Sequence, residues 1–278
     1  MLTAEEQNFI HHHAYVPEHL PDYVQPISGA EPFLHEGCVC FVLERHLIFV
    51  GYPLQNREID IKEAYESACQ RFRARTVAFI GPAIPAELGR TEDQAEDAYY
   101  RLDLPLKPLS PDVAYMIRRA GRELRVSVGA FRDEHKAIVD AFLAKRELDT
   151  GHHEIFNKLP SYLDHSATAC LIEARKGDDL AAFNIVDFGS DYYMFYMFNF
   201  RSLMMNAPGA SDLLFYEMAR LAENQEKDAM NLGLGISPGV RRFKEKWGAS
   251  RFLSYQSILV RRRPPGLFTR IFGSRKLT

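Results

Sequence analysis

Asp191-Tyr-Tyr-Met-Phe-Tyr-Met-Phe-Asn-Phe200 is the stretch that decides the fold, together with the turn and helix after it. It reads as a strand that is apolar on both faces, the pattern of a buried central strand. Strict alternation puts Tyr192, Met194, Tyr196, Phe198 and Phe200 on one face. Asp191, Tyr193, Phe195, Met197, Asn199 and Arg201 take the other. The turn Asn206-Ala-Pro-Gly-Ala-Ser211 then leads into a helix from Asp212 to Asn224. A strand from Ala229 to Gly235, a short helix from Pro238 to Trp247 and a strand from Phe252 to Arg262 complete the run. A turn of this kind presents backbone N–H groups at a helix N-terminus, so a ligand is expected there.

Outward toward the N-terminus, Thr168–Ala174 and Leu180–Asp187 read as a hairpin turning at Lys176-Gly177-Asp178. Two helices precede it: Glu134 to Glu147, and His152 to Leu163 with Pro160 ending or kinking the second. Before these come a helix from Pro111 to Ala120 and a strand from Leu124 to Val128. Pro105, Pro108 and Pro111 punctuate the chain and suggest a boundary. The first part offers strands at Cys38–Leu43, Leu47–Tyr52, Thr76–Ile80 and Ala98–Leu104, with a helix from Ile61 to Arg73. Residues 1–36 show no clear period. Ser237-Pro238 is a good helix start and Gly248 a natural stop.

The 278 residues carry a formal charge of -3, with 46% apolar and 26% charged residues. Such a chain buries one large core or two small ones. Its net charge gives no general attraction for nucleic acid. No apolar run approaches the length that spans a bilayer, and the first residues lack a signal-like core. Cys38, Cys40, Cys69 and Cys170 lack a second paired set and read as reduced thiols in a cytoplasmic protein. His11-His12-His13 has no carboxylate at ligand spacing, so no metal site is expected. The last eighteen residues hold six Lys or Arg, with Leu267, Phe268, Ile271 and Phe272 at helical spacing. That tail suits docking on its own domain, or an anionic membrane or RNA surface.

The order of elements resembles the GNAT superfamily of acyltransferases. More narrowly it is similar to the Fem-type peptidyltransferases and the C-terminal region of phosphatidylglycerol lysyltransferases. Four runs carry the resemblance: Tyr115-Met-Ile-Arg-Arg-Ala-Gly-Arg-Glu-Leu-Arg-Val-Ser-Val128, Gly209-Ala-Ser-Asp-Leu-Leu214, Met230-Asn-Leu-Gly-Leu-Gly235 and Val240-Arg-Arg-Phe-Lys-Glu-Lys-Trp-Gly248. It implies an α/β protein with a mixed sheet, made of two GNAT-like units in tandem. The expected division is 1–108, 109–263 and a basic amphipathic tail, 264–278.

In enzymes of this kind the central strands splay, and the resemblance places the donor in the gap. Asn206, Gly209, Ala210 and Ser211 then stand in the donor-binding turn, with Gly233 and Gly235 at the end of the next strand and Lys244 as a contact for an anionic donor. Only Gly209 matches the family pattern in full. Pro208 has no N–H to give, and Asp212 in the first helical turn repels a pyrophosphate. Phe243 and Trp247, four apart, also bury as an ordinary helical pair with Lys244 solvated between them. A Ser cap before an acidic first turn is ordinary helix chemistry too. Asn199, Tyr216 and Tyr255 are the candidates for catalysis. The plain reading of Asn199, Arg201, Asn184 and Asp187 is that of satisfied polar groups at strand ends.

The implied activity moves an acyl or aminoacyl group from acyl-coenzyme A or aminoacyl-tRNA to an amine or hydroxyl by direct attack. No activated Cys or Ser supports a covalent intermediate. The donor is a co-substrate, and no tightly bound cofactor is expected. Partners are then a small-molecule, peptide or lipid head-group acceptor, with tRNA as one donor. Two other readings stand beside this one: a non-catalytic binding protein that kept the fold, and a membrane-surface transferase acting on lipid head groups through the C-terminal tail. The location is cytoplasmic, or the inner membrane surface in the last case. The residues fix neither donor, acceptor nor oligomeric state.

Overall fold

The computed structural model describes residues 2–55, 59–88, 94–145 and 150–262. In chain order the elements are α1 (Ala4–His13), α2 (Pro21–Ser28), β1 (Glu31–His35), β2 (Cys38–Leu43), β3 (His46–Val50), α3 (Ile61–Arg71), β4 (Thr76–Gly81) and β5 (Ala95–Asp103). Next come α4 (Pro111–Ala120), β6 (Arg125–Gly129), α5 (Asp133–Ala144), α6 (Thr150–Asn157), α7 (Leu159–His165), β7 (Ala169–Lys176) and β8 (Asp179–Asp187). The last are β9 (Tyr193–Arg201), α8 (Ala210–Asn224), β10 (Ala229–Leu234), α9 (Pro238–Lys246) and β11 (Ser250–Arg261). They form two compact units. Of the described residues, the smaller holds those within Glu31–Glu96 and from Tyr255 to Arg262; the larger holds those within Leu2–Ala30 and Asp97–Ser254.

In the smaller unit the strands run β1-β2-β3-β4-β11. β3 and β4 are parallel and joined through α3, while the other pairs are antiparallel. Asp60 caps α3 by accepting from the N–H groups of Lys62 and Glu63. The helix buries Ala64, Tyr65, Ala68 and Cys69 against Cys38, Cys40, Leu47, Phe49, Val77 and Phe79. Burial there pushes the Cys38 thiol up to about 12, with Glu36 adding to the shift. Such a thiol is inert.

The larger unit runs β11-β5-β10-β9-β8-β7-β6. One face carries α4, α8 and Trp247 on a core that includes Tyr100, Ile172, Ala182, Met194 and Met230. The other carries α5 and α7 on Leu171, Phe183, Ile185 and Phe200.

Three expectations are corrected. The unit boundary does not fall at 108. β5 pairs antiparallel with β10, Asp103 opposite Ala229, and this register draws the chain from Asp97 onward into the larger unit. Leu2–Ala30 also belong to that unit. A capping box between Thr3 and Glu6 starts α1, and Ala14 and Leu20 pack on Phe195. In α1, His12 pairs with Asp191 at 2.8 Å.

The third correction concerns β9. Its alternation breaks at Met197, because the register with β8 goes from Phe198↔Ile185 to Tyr196↔Val186. Met197 is therefore a bulge residue with no opposite number. Phe198 and Phe200 join the α5–α7 face, and Asn199 turns to the α8 face beside Met194 and Tyr196. A strand apolar on both sides hides such a slip. The expected tail, 264–278, lies outside the described residues.

Candidate functional site

The site is built where β9 and β10 separate. These strands are parallel, and their pairing covers only Tyr193↔Ala229, Met194↔Met230 and Phe195↔Asn231. β9 continues for six residues beyond that, to Arg201, paired only with β8. The cause is local. The side chain of Asn231, 1% exposed, accepts from the N–H of Gly233 at 2.8 Å and donates to the Tyr15 carbonyl at 2.8 Å. This Asn two residues before a Gly makes a side-chain turn that competes with the ladder. Gly233 takes φ +72, and a Cβ there would stand 3.6 Å from the Tyr196 carbonyl oxygen. The two backbones are still close at that level. Beyond it, β9 has no ladder partner on its β10 side, and its register with β8 shifts at Met197.

The turn after β9 lies at the same end. The helix begins earlier than expected, at Ala210, with Gly209 as its N-cap in the left-handed region at φ +81. Ser211 is therefore a first-turn residue and caps nothing. The cap has no side chain to lend; the Ala210 N–H is bonded to the Ala207 carbonyl, which leaves the N–H groups of Ser211 and Asp212 for another acceptor. Gly209 is required for a packing reason as well. A Cβ on it would stand 2.6 Å from the Met116 carbonyl oxygen of α4. Ala210 is fully buried in the core, and Asn206 is exposed.

Asp212 does not present a bare charge. It is 5% exposed, accepts from Trp247 Nε1 at 3.1 Å and pairs with Lys246 at 2.6 Å. The repulsion expected for an anionic donor is thus offset by a cation. Phe215 packs on Trp247 and Phe243, which fixes α9 against α8.

Lys244 departs from both of its readings. It is neither solvated nor open to a donor, being 3% exposed. Its ammonium donates to the Leu234 carbonyl at 2.6 Å and lies over the Tyr100 ring. Burial pulls its pKa down to about 7, against a weaker upward pull from Asp97. It closes the end of β10, where Gly235 donates to the Ala98 carbonyl and Asp97 accepts from Ile236. Gly235 itself is buried beside Asp97 and Arg241.

The catalytic candidates lie on three different elements. Asn199 donates to Asn184 at 2.6 Å, across the β8–β9 pair. Tyr216 lies on α8, half-buried, with Arg220 over its ring. Tyr255 lies in β11 and belongs to the smaller unit. The turn residues Asn206, Gly209, Ala210 and Ser211, and the strand-end glycines Gly233 and Gly235, do share one end of the β9–β10 pair. Sequence reading missed Tyr196, the first residue past the last β9–β10 pair. Its ring meets Phe215 edge-on. Burial, reinforced by Asp212, raises its pKa and keeps the phenol protonated. An aromatic strand holding four other Tyr or Phe residues gives no signal that singles it out.

One group could be mistaken for a metal centre. The ligand atoms of Glu134, His135 and Glu173 all lie within 4.8 Å of one another. However, the Arg132 N–H donates to His135 Nδ1. Nε2 then carries the proton, which it gives to Glu173 at 3.0 Å, so no nitrogen lone pair faces the carboxylates. Arg175 pairs with both glutamates. Burial raises the Glu173 pKa, but Arg175 and His135 outweigh it and the net shift is downward. This is an ion-pair network that ties α5 to β7.

No protein-family model matches this chain, and no curated protein matches it in sequence. Solved structures do match. FemX superimposes with a TM-score of 0.60 at 10% identity, over 92% of this chain and 96% of that one. The C-terminal domain assigned to a lysylphosphatidylglycerol synthetase of Agrobacterium fabrum gives 0.56 at 16% identity, over 85% of each chain. A tandem GNAT protein from the clavulanic acid biosynthesis pathway gives 0.52 at 12%, over 82% of this chain and 79% of that one. The fold is therefore GNAT-like, an α/β architecture in its tandem form. Within that class it is similar to the Fem and lysylphosphatidylglycerol synthetase structures. Among the described residues, no helix is long and apolar enough to cross a membrane.

Proposed function

We propose that the larger unit transfers an acyl or aminoacyl group from acyl-coenzyme A or aminoacyl-tRNA to an amine or hydroxyl by direct attack. The observation that carries this reading is the end of β9–β10 pairing at Asn231, next to a bulge at Met197. Main-chain N–H groups released in this way suit the oxyanion that develops as the nucleophile adds to the acyl carbonyl. The C–S or C–O bond of the donor then breaks, and the acceptor gives up its proton to water. Tyr196, neutral and placed at the separation, suits the departing atom as a proton donor. The uncapped Ser211 and Asp212 N–H groups at the start of α8, with the Asp212 charge offset by Lys246, suit the phosphates of either donor. By its name, the A. fabrum relative joins lysine to phosphatidylglycerol, and a peptide or lipid head-group acceptor is the corresponding proposal here.

A second reading, a binding protein without turnover, draws on the engagement of Asn199 and Lys244 by their own neighbours. Thermal melting with acetyl-coenzyme A and with an aminoacyl-tRNA tests both. A donor at about a hundred times its Kd stabilises the protein by about 2.7 kcal/mol, which is a rise of about 5–11 °C for a unit of this size. A rise with formation of a transfer product supports the enzyme; a rise without product supports the binding protein. An unchanged midpoint with both donors contradicts each.

A further inference from the structure

The smaller unit carries an unassigned concavity of 480 Å³ lined by Glu44, Arg45, His46, Arg75 and Thr76. It sits where three strands end side by side. His46 is opposite Thr76, and Thr76 is opposite Arg261. Strand neighbours in register share a face, so the row His46–Thr76–Arg261 is basic at both ends. Arg45, Arg75 and Arg261 are exposed. Among the described residues, none of these three guanidinium groups has a hydrogen-bond or carboxylate partner. The neighbouring Arg262 is different, since it is bound to Glu66 at 2.7 Å.

The backbone under these side chains is firmly held. The Arg45 carbonyl accepts from the N–H groups of both Arg75 and Thr76, and the Arg75 carbonyl accepts from Arg262. The arginines therefore leave from fixed points, which lowers the ordering cost of binding. Two free lining cations, Arg45 and Arg75, stand against one lining carboxylate, Glu44, and Arg261 adds a third positive charge on the neighbouring strand end.

We propose that this concavity is an anion site for the oligophosphate end of a small molecule. Guanidinium forks match phosphate oxygens two at a time. The volume falls in the range of small-molecule sites, about 300–1,000 Å³. A nucleic-acid backbone needs a basic track that continues along the surface; here the carboxylate of Glu44 is part of the lining and repels a strand laid across it. The site lies wholly in the smaller unit and does not depend on what the larger unit transfers.

Isothermal titration calorimetry on the full chain tests it, with tripolyphosphate, inorganic phosphate and a short RNA duplex at one ionic strength. Saturable one-to-one binding of tripolyphosphate is expected, tighter than that of phosphate. R45Q and R75Q should each weaken it about tenfold, the cost of one charge-assisted contact. R75K, which keeps the charge and loses the fork, should fall between R75Q and the wild type. R125Q, on β6 of the larger unit, should bind as the wild type does. The proposal is overturned by an absence of saturable heat, by full affinity in the R45Q/R75Q double variant, or by an RNA duplex binding more tightly through the same arginines.

Discussion

Gly209→Ala should destabilise the larger unit by about 3 kcal/mol or more, through positive-φ strain and an overpacked contact. For a chain of this size that lowers the melting midpoint by about 6–12 °C. The residue has φ +81, and a methyl group on it meets the Met116 carbonyl oxygen at 2.6 Å. A backbone atom cannot swing aside as the end of a side chain does, so α4 and α8 must separate. Gly177 supplies the control. It has φ +61 in the β7–β8 turn, and a Cβ added there would meet nothing within 4 Å. Gly177→Ala should cost only the conformational part, about 1–2 kcal/mol. Equal losses in the two variants would show that the α4–α8 contact is not tight. The turn glycine thus serves packing in its own right, whatever ligand its helix receives.

Asp187→Ala should cost about 3–5 kcal/mol, the scale of orphaning several buried donors at once. Asp187 has no exposed surface. It accepts from Tyr162 at 2.5 Å, Thr168 at 2.7 Å, the Gly189 N–H at 2.8 Å and Ser166 at 3.4 Å. These bonds join α7, the start of β7 and the end of β8 at one point. Burial and the Asp187 charge both raise the Tyr162 pKa, so the phenol remains a donor. Tyr162→Phe removes one donor and leaves the carboxylate three, so about 1–2 kcal/mol is expected. Urea unfolding of the two variants checks the order. A loss below about 1 kcal/mol for Asp187→Ala would mean that the network contributes little.

Much of the larger unit was legible in the sequence because its signals were local. Ser237-Pro238 starts α9, with Ser237 accepting from Val240. Gly248 ends it at φ +89. Gly177 turns the β7–β8 hairpin. Long apolar segments separated by such marks are read easily. What escaped depends on partners distant in sequence. Residues 2–30 look irregular because Ala14, Leu20 and Tyr23 pack with Phe195 and Met197 of β9, far away in sequence. The unit boundary was misplaced because β5 belongs by register to β10, more than a hundred residues later.

The site was legible in outline and not in detail. The turn at Gly209 and the glycines of β10 were found, and both lie at one end of the separating strands. Asn231 had a signal, an Asn two residues before a Gly, that passed as part of a strand. The bulge at Met197 had none, because both faces of β9 are apolar and a one-residue slip leaves the pattern unchanged. Lys244, read either as a contact for an anionic donor or as solvated between Phe243 and Trp247, is held inside by the Leu234 carbonyl and the Tyr100 ring.

Hydrogen–deuterium exchange across Tyr196–Arg201 and Gly209–Leu213, with and without acetyl-coenzyme A and an aminoacyl-tRNA, tests the donor site most directly. One of the two donors should slow exchange in both segments together, because released β9 amides and the first turn of α8 would bond to the same molecule. Unchanged exchange in both segments with both donors, or protection confined to other strands, would contradict a donor lying between β9 and β10.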